Sequence, residues 1–167
     1  MTEVAVHSMA IHPASPQVLY AGTSVDGVFK STDGGGTWTG INNGLALSSV
    51  ASLAINPLSP QTVFAAVTGF GVYKSTDGGG EWTLASSGIA NTNRIEAIAV
   101  DPLAPDTVYA GTIGNGVFKS TDSGDTWTDA SSGISYPGTY VLSLAIDPSN
   151  SQTIYAGSLS NVAYKST

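Results

Sequence analysis

Cysteine is absent, which excludes disulfides and thiolate metal sites and leaves the redox compartment open. Basic residues are nearly as scarce. Lys30, Lys74, Arg94, Lys119 and Lys165 are the only five, set against 12 acidic residues for a net charge of −7. Phosphate binding needs clustered cations, so a nucleic-acid partner is excluded. Charged residues make up 10% of the chain and hydrophobic ones 41%, too apolar a balance for a disordered tail or a solvated helical bundle. Long apolar runs are lacking too. None reaches the roughly 18 residues that a spanning helix needs, so no membrane partner is expected. Neither His7 nor His12 has a second ligand at metal-binding spacing, and neither a metal nor a cofactor is expected. Met1-Thr2-Glu3-Val4-Ala5-Val6 has no basic and no apolar signal region. The abrupt start on a strand slightly favours the mature portion of an exported protein over a cytoplasmic one.

What the chain does contain is glycine, proline and repetition. With 20 Gly, 8 Pro and abundant Thr, Ser and Val, it favours short strands and tight turns. The stretch Ser31-Thr32-Asp33-Gly34-Gly35-Gly36-Thr37-Trp38 recurs from Ser75 to Trp82 and from Ser120 to Trp127, and a fourth copy begins at Ser166-Thr167. The four serines are 44, 45 and 46 residues apart. A near-constant period of that size, with strand-like segments between the copies, points to an array of four-stranded sheets and first to a propeller. The expected fold is therefore an all-β propeller of antiparallel blades in one domain. The blades cover approximately residues 4–40, 49–84, 94–129 and 140–167, the last lacking its outer strand.

Within each repeat a first strand ends in a polar residue and proline: His12-Pro13, Asn56-Pro57, Asp101-Pro102 and Asp147-Pro148. Proline cannot donate to a ladder, so it closes the strand, and the residue before it reads as a turn residue. The second strands, Val18 to Thr23, Thr62 to Val67, Thr107 to Thr112 and Thr153 to Ser158, are almost continuously small and apolar. That pattern suits sheets covered on both faces by neighbours. Recurrent Ala and Gly suit the crowding of blades near an axis. A third strand leads into the octapeptide, and after it comes a fourth, marked by Trp38-Thr39, Trp82-Thr83 and Trp127-Thr128.

The pattern Ser-x-Asp-x-Gly-x-x-Trp has a mechanical reading, in which Ser and Asp side chains accept backbone N–H bonds, Gly permits the tight turn and Trp buries a ring beneath it. The residues concerned are Ser31, Asp33, Gly35 and Trp38; Ser75, Asp77, Gly79 and Trp82; and Ser120, Asp122, Gly124 and Trp127. On these residues the chain resembles the Asp-box, or bacterial neuraminidase repeat, family. The resemblance implies a β-propeller and places the motif at the blade periphery, so that Asp33, Asp77 and Asp122 are structural. Members of that family include sialidases, xyloglucan-cleaving glycosidases, sortilin-type receptors and photosystem-assembly factors.

No catalytic residue emerges. A sialidase is similar in repeat but needs three arginines, and Arg94 stands alone. Glycoside hydrolysis needs two facing carboxylates. Outside the octapeptides and turns only Glu96 lies in a first strand, at the place where the other repeats carry His7, Ala51 and Leu142. Variation at an otherwise regular inner position suits a channel-facing site, and so does a polar residue that merely meets solvent at a strand end. Binding candidates are His7 and Glu96 together with the loop residues Asp26, Phe70, Asn115, Tyr136 and Tyr140, whose rings and amides suit glycan or peptide contacts. An open stack would expose apolar faces. The expected partner is therefore a second copy joined head to tail to complete a ring, or the remainder of a longer chain. The expected function is a non-enzymatic scaffold or recognition module with glycans as candidate ligands. The alternative is a fragment of a carbohydrate-active enzyme of the xyloglucanase type.

Overall fold

Short apolar strands that stop at proline and restart after a turn fold back on themselves, and each repeat of this chain forms an antiparallel meander. The computed structural model describes residues 4–89, 94–134, 139–159 and 163–166. The first sheet runs β1 (Val6–Ile11), β2 (Leu19–Thr23), β3 (Val28–Ser31) and β4 (Thr39–Gly40). The second runs β5 (Val50–Ile55), β6 (Val63–Val67), β7 (Gly71–Ser75) and β8 (Thr83–Leu84). The third holds β9 (Arg94–Val100), β10 (Val108–Ile113), β11 (Val117–Ser120) and β12 (Thr128–Asp129). The fourth has three strands among the described residues, β13 (Val141–Asp147), β14 (Asn150–Ser158) and β15 (Ala163–Lys165).

The residue before each proline holds its turn. Asn56 Oδ1 accepts the N–H groups of Leu58 and Ser59, both at 2.9 Å, and Asp101 Oδ1 accepts those of Leu103 and Ala104. His12 Nδ1 does the same for Ala14 at 3.2 Å. Asp147 accepts from Ser149, but it also pairs with Asn150, so the fourth turn is tighter and Asp147 is the last residue of its strand.

Neighbouring sheets pack face to face through their inner strands, β1 on β5, β5 on β9 and β9 on β13. Sheets two and three are covered on both faces, and every residue of β6 is buried. The end sheets show what that cover does. Leu53 is 7% exposed, whereas Met9 at the same position of the first sheet is 56% exposed; Phe64 is fully buried, whereas Tyr155 in the fourth sheet is 44% exposed. β1 and β13, at the two ends of the series, do not pack against each other as adjacent inner strands do. The arrangement is an arc of propeller blades that does not close on itself. Near the axis the approach is tight: a Cβ on Gly22 would meet Val50 Cγ1 at 2.7 Å, and one on Gly111 would meet Val141 Cγ1 at the same distance. These glycines let the next inner strand come close.

Tryptophan and lysine side chains tie the first sheet to the second and the second to the third. The indole Nε1 of Trp82 donates to the Ile41 carbonyl at 2.7 Å, and that of Trp127 donates to the Ala85 carbonyl at 2.9 Å. In return Lys30 Nζ donates to the Gly78 carbonyl at 2.9 Å, and Lys74 Nζ donates to the Ser123 carbonyl at 3.1 Å and pairs with Asp125. The fourth strands are two residues long and begin directly after the tryptophans that mark them. Trp38 has no preceding sheet, donates to Gly35 in its own turn at 3.1 Å and is half-buried.

Truncating a fully buried aromatic leaves both lost contacts and a void. Trp82→Ala is expected to cost about 3–5 kcal/mol in denaturant unfolding, and Trp38→Ala distinctly less. Equal losses would mean that the junctions do not carry the stability.

Candidate functional site

Each inner strand carries one residue with no partner across its ladder. Val6 pairs with Thr23 and Ser8 with Gly22, which leaves His7 between them. The same irregularity isolates Ala51, Glu96 and Leu142 in β5, β9 and β13. A bulge of this kind bends the strand and re-aims the extra side chain. All four bulged residues line one cavity of about 460 Å³, joined by Ser49, Thr68 and Arg94. The four-fold repetition of the bulge is thus what builds the site.

The charges in this cavity come from β9. Arg94 Nε lies 2.5 Å from Glu96 Oε1. The Glu96 side chain is 18% exposed against 58% for Arg94, and Oε1 itself is shut off from solvent and has no aligned hydrogen bond. The contact is therefore an ion pair, with the guanidinium reaching out to solvent. Across the cavity His7 Nδ1 lies 3.1 Å from Ser49 Oγ. A serine beside a histidine is the start of a nucleophilic arrangement, but the cavity's carboxylate is engaged by Arg94, and no third group among the described contacts orients the imidazole.

Of the residues singled out in the sequence, His7 and Glu96 come together here. Asp26 sits exposed in the β2–β3 turn, its N–H donating to Thr23 Oγ1 at 3.0 Å, and does not line the cavity. Asn115 is half-buried in the β10–β11 turn. Phe70 is exposed two residues beyond Thr68, and Tyr140 is part-exposed two residues before Leu142, so both flank the cavity along the chain without lining it. Tyr136 lies outside the described residues. Arg94, Ser49 and Thr68 are additions. For Arg94 a signal existed: the only arginine of the chain stands two residues before Glu96 on the same strand.

The octapeptide turns lie elsewhere, between the third and fourth strands of their sheets. Ser31 Oγ donates to Asp33 Oδ1 at 2.7 Å and accepts the Gly35 N–H at 2.9 Å, while Asp33 Oδ1 also accepts the Thr37 N–H at 2.9 Å. Ser75 with Asp77 and Ser120 with Asp122 repeat the pattern around Gly79 and Gly124. Ser123 takes the place of Gly34 and Gly78 and adopts their left-handed backbone, φ 57°. These bonds favour the charged carboxylates. The Thr37 N–H, then the Thr37 and Ser31 hydroxyls, lower Asp33 to about 2 from the ordinary 3.8, and the Thr126 hydroxyl and N–H, then the Ser120 hydroxyl, lower Asp122 to about 2. Asp77 is lowered as well, chiefly by the Glu81 N–H, and Glu81 offers no hydroxyl.

Fold and site together define an open β-propeller arc with a cavity at the bulged ends of its inner strands. Solved structures share the architecture. An ancestral GH74 enzyme is similar over 96% of this chain with a TM-score of 0.78 and 26% identity, and the GH74 enzyme of Niastella koreensis over 92% with a TM-score of 0.73 and 27% identity. The GH74 xyloglucanase of Xanthomonas campestris matches 94% of the chain at 15% identity and a TM-score of 0.52, a likeness of fold alone. This chain spans 22%, 26% and 36% of those three chains respectively. No family model and no curated protein matches it.

The lowered carboxylates make stability depend on acid. A carboxyl with a folded-state value below its unfolded value stabilises the fold above the unfolded value, and that contribution is lost as pH falls through the folded value. The thermal midpoint is therefore expected to decline as pH drops from 3.8 towards about 2. Asp122→Asn should lower the midpoint at neutral pH and shrink the acid decline, as scanning calorimetry at several pH values would show.

Proposed function

We propose that the chain is a carbohydrate-recognition module that holds its ligand at the bulge-lined cavity without cleaving it. The observation that carries this reading is the solitary Glu96. Paired-acid hydrolysis needs two carboxyl groups about 5–9.5 Å apart across one sugar. Among its described lining residues the cavity offers one carboxylate, and Arg94 holds it as an ion. An exposed guanidinium, a His7–Ser49 pair and the Thr68 hydroxyl can each hydrogen-bond a sugar hydroxyl. Phe70 and Tyr140, near the rim along the chain, supply ring faces for a sugar's apolar side. The resemblance of the octapeptide turns to a family that includes xyloglucan-cleaving glycosidases, beside the 26% and 27% identity to GH74 enzymes, supports neutral polysaccharides such as xyloglucan as the ligand class. The same identity favours a second reading, in which this arc is part of an Asp-box carbohydrate-active enzyme of the xyloglucanase type with its acid pair completed elsewhere.

Titration calorimetry with xyloglucan oligosaccharides, run beside a reducing-end assay, separates the two. Binding without new reducing ends is expected, and Arg94→Ala should weaken it about tenfold, the equivalent of one charge-assisted hydrogen bond. Reducing ends that vanish in Glu96→Gln would establish the enzyme reading instead, and the absence of any binding would sink the recognition role.

The same reading has the arc completed by a second copy. The open face of the first sheet carries Met9, Ile11, Leu19, Phe29 and Trp38, counterparts of the Leu53, Ile55, Val63, Tyr73 and Trp82 that pack on a preceding sheet. The open face of the fourth sheet carries Ala145, Tyr155 and Ala163, counterparts of Ala10, Tyr20 and Val28. Each open face therefore matches the surface the other needs. Lys165 lies over Tyr155 at 5.9 Å as Lys30 lies over Tyr20 at 5.3 Å, and the latter pair meets the Gly78 carbonyl, whose counterpart is Gly34. Two copies give eight sheets, within the usual four to eight blades, and three copies would exceed it. Light scattering should give twice the 16.9 kDa of one chain, and Tyr155→Glu should halve it. A monomer at tens of micromolar would discard the pairing.

A further inference from the structure

Four of the five basic side chains share one post. Lys30, Lys74, Lys119 and Lys165 each stand in a third strand, opposite Tyr20, Phe64, Tyr109 and Tyr155 of the second. Lys30, Lys119 and Lys165 lie over the tyrosine rings at 5.3, 5.5 and 5.9 Å, and Lys30 and Lys74 reach on to turn carbonyls of the next sheet. Arg94 is the exception. It opens an inner strand, lines the bulge cavity and has 58% of its side chain exposed.

The fold does not call for a cation at this point. The other repeats have Ala5, Ser49 and Tyr140 there, and the backbone carbonyls of those residues accept the N–H groups of Ser24, Thr68 and Leu159. The position serves the ladder through its backbone, whatever side chain it bears. Glu96 is equally dispensable to the fold, because Ala51 and Leu142 fill the same bulge in sheets two and four. An ion pair that stacking does not require is accounted for by a ligand.

The chemistry of that ligand follows from the pair. A guanidinium is planar, and its N–H groups form a fork that matches the two oxygens of a carboxylate. Glu96 meets the Nε side of Arg94. The Nη groups, for which the described contacts give no partner, remain for a ligand on a head already held at its stem, so less side-chain freedom is lost on binding. The rest of the chain sets a limit. A net charge of −7 repels polyanions, whereas a single carboxylate seated on Arg94 feels chiefly the guanidinium, since charges beyond about 8 Å are screened at physiological salt. His7, Ser49 and Thr68 can hydrogen-bond hydroxyls of the same sugar.

We propose that Arg94 determines the specificity of the cavity by reading one isolated carboxylate, that of a hexuronate unit on an otherwise neutral glycan. This rests on the carbohydrate-recognition reading of the cavity and adds the chemical group that Arg94 selects.

Two matched pairs of probes test it by titration calorimetry at neutral pH and physiological salt. One is a galactose-bearing xyloglucan oligosaccharide, intact or oxidised at the galactose C6 to the uronate; the other is a xylo-oligosaccharide without or with a single glucuronate branch. In at least one pair the acidic member should bind about tenfold more tightly, as a bidentate charge-assisted contact requires. That ratio should fall to about one in Arg94→Gln and lose most of its size in Arg94→Lys, which keeps the charge and lacks the fork. An oligogalacturonate should bind no more tightly than the singly charged probes, and a C6 sulfate in place of the carboxylate should bind more weakly. Neutral and acidic members that bind equally in both pairs would overturn the proposal and leave the recognition reading standing; no binding by any member would remove both. A full ratio kept by a folded Arg94→Gln or Arg94→Lys chain, affinity that climbs with the number of charges, or a sulfate bound as tightly as the carboxylate would each overturn it as well. Should Arg94→Gln lower the thermal midpoint, the matched pairs on the unaltered chain decide alone.

Discussion

The structure depends on a hydrogen bond that leaves its own sheet. Trp82 and Trp127 each give an indole N–H to the last loop of the preceding sheet, and a lysine of that preceding sheet reaches forward to the turn that carries the tryptophan. A single four-stranded sheet of this sequence would have two apolar faces and no core. Stacking supplies the core, and these polar ties help to fix how the first three sheets sit along the stack. Because the indole is buried, its N–H must find a partner, and only one register provides it. Contacts run between neighbours alone, as in other repeat architectures.

That stacking is what brings the inner strands within reach of a common cavity. Gly22 and Gly111 allow the next strand to lie close, and the bulges then turn one side chain per strand into the space between. The chemistry follows from what stands at those four places. A histidine, an alanine, a glutamate and a leucine make a site that is mixed in polarity, with an ion pair contributed by one strand.

Much of this was legible in the sequence, and the limits have physical causes. The period of the Ser-x-Asp-x-Gly-x-x-Trp stretch and the prolines after each first strand locate the sheets, since both act through local backbone chemistry. Equivalence of His7, Ala51, Glu96 and Leu142 follows from aligning the repeats. The bulge that gives those positions their meaning does not, because it arises from how β1, β5, β9 and β13 pair with their partners and leaves no residue signature. Arg94 read from the sequence as a lone arginine, although its place two residues before Glu96 on one strand already hinted at the ion pair. Phe70 and Tyr140 read as site residues from their type, yet the β6–β7 turn and the bridge from Tyr140 to Ile113 set them beside the cavity along the chain, not in its lining. Met9 and Leu53 look alike in the sequence, and only the presence or absence of a covering sheet separates them.

A bulged residue takes no part in the ladder, so exchanging its side chain leaves every backbone pair of the sheet in place. Positions 7, 51, 96 and 142 are therefore free to vary while the strands around them stay constant. The fold keeps its stability and the lining of this cavity on separate residues, so the cavity can be re-lined at four positions without renegotiating how the sheets are stacked.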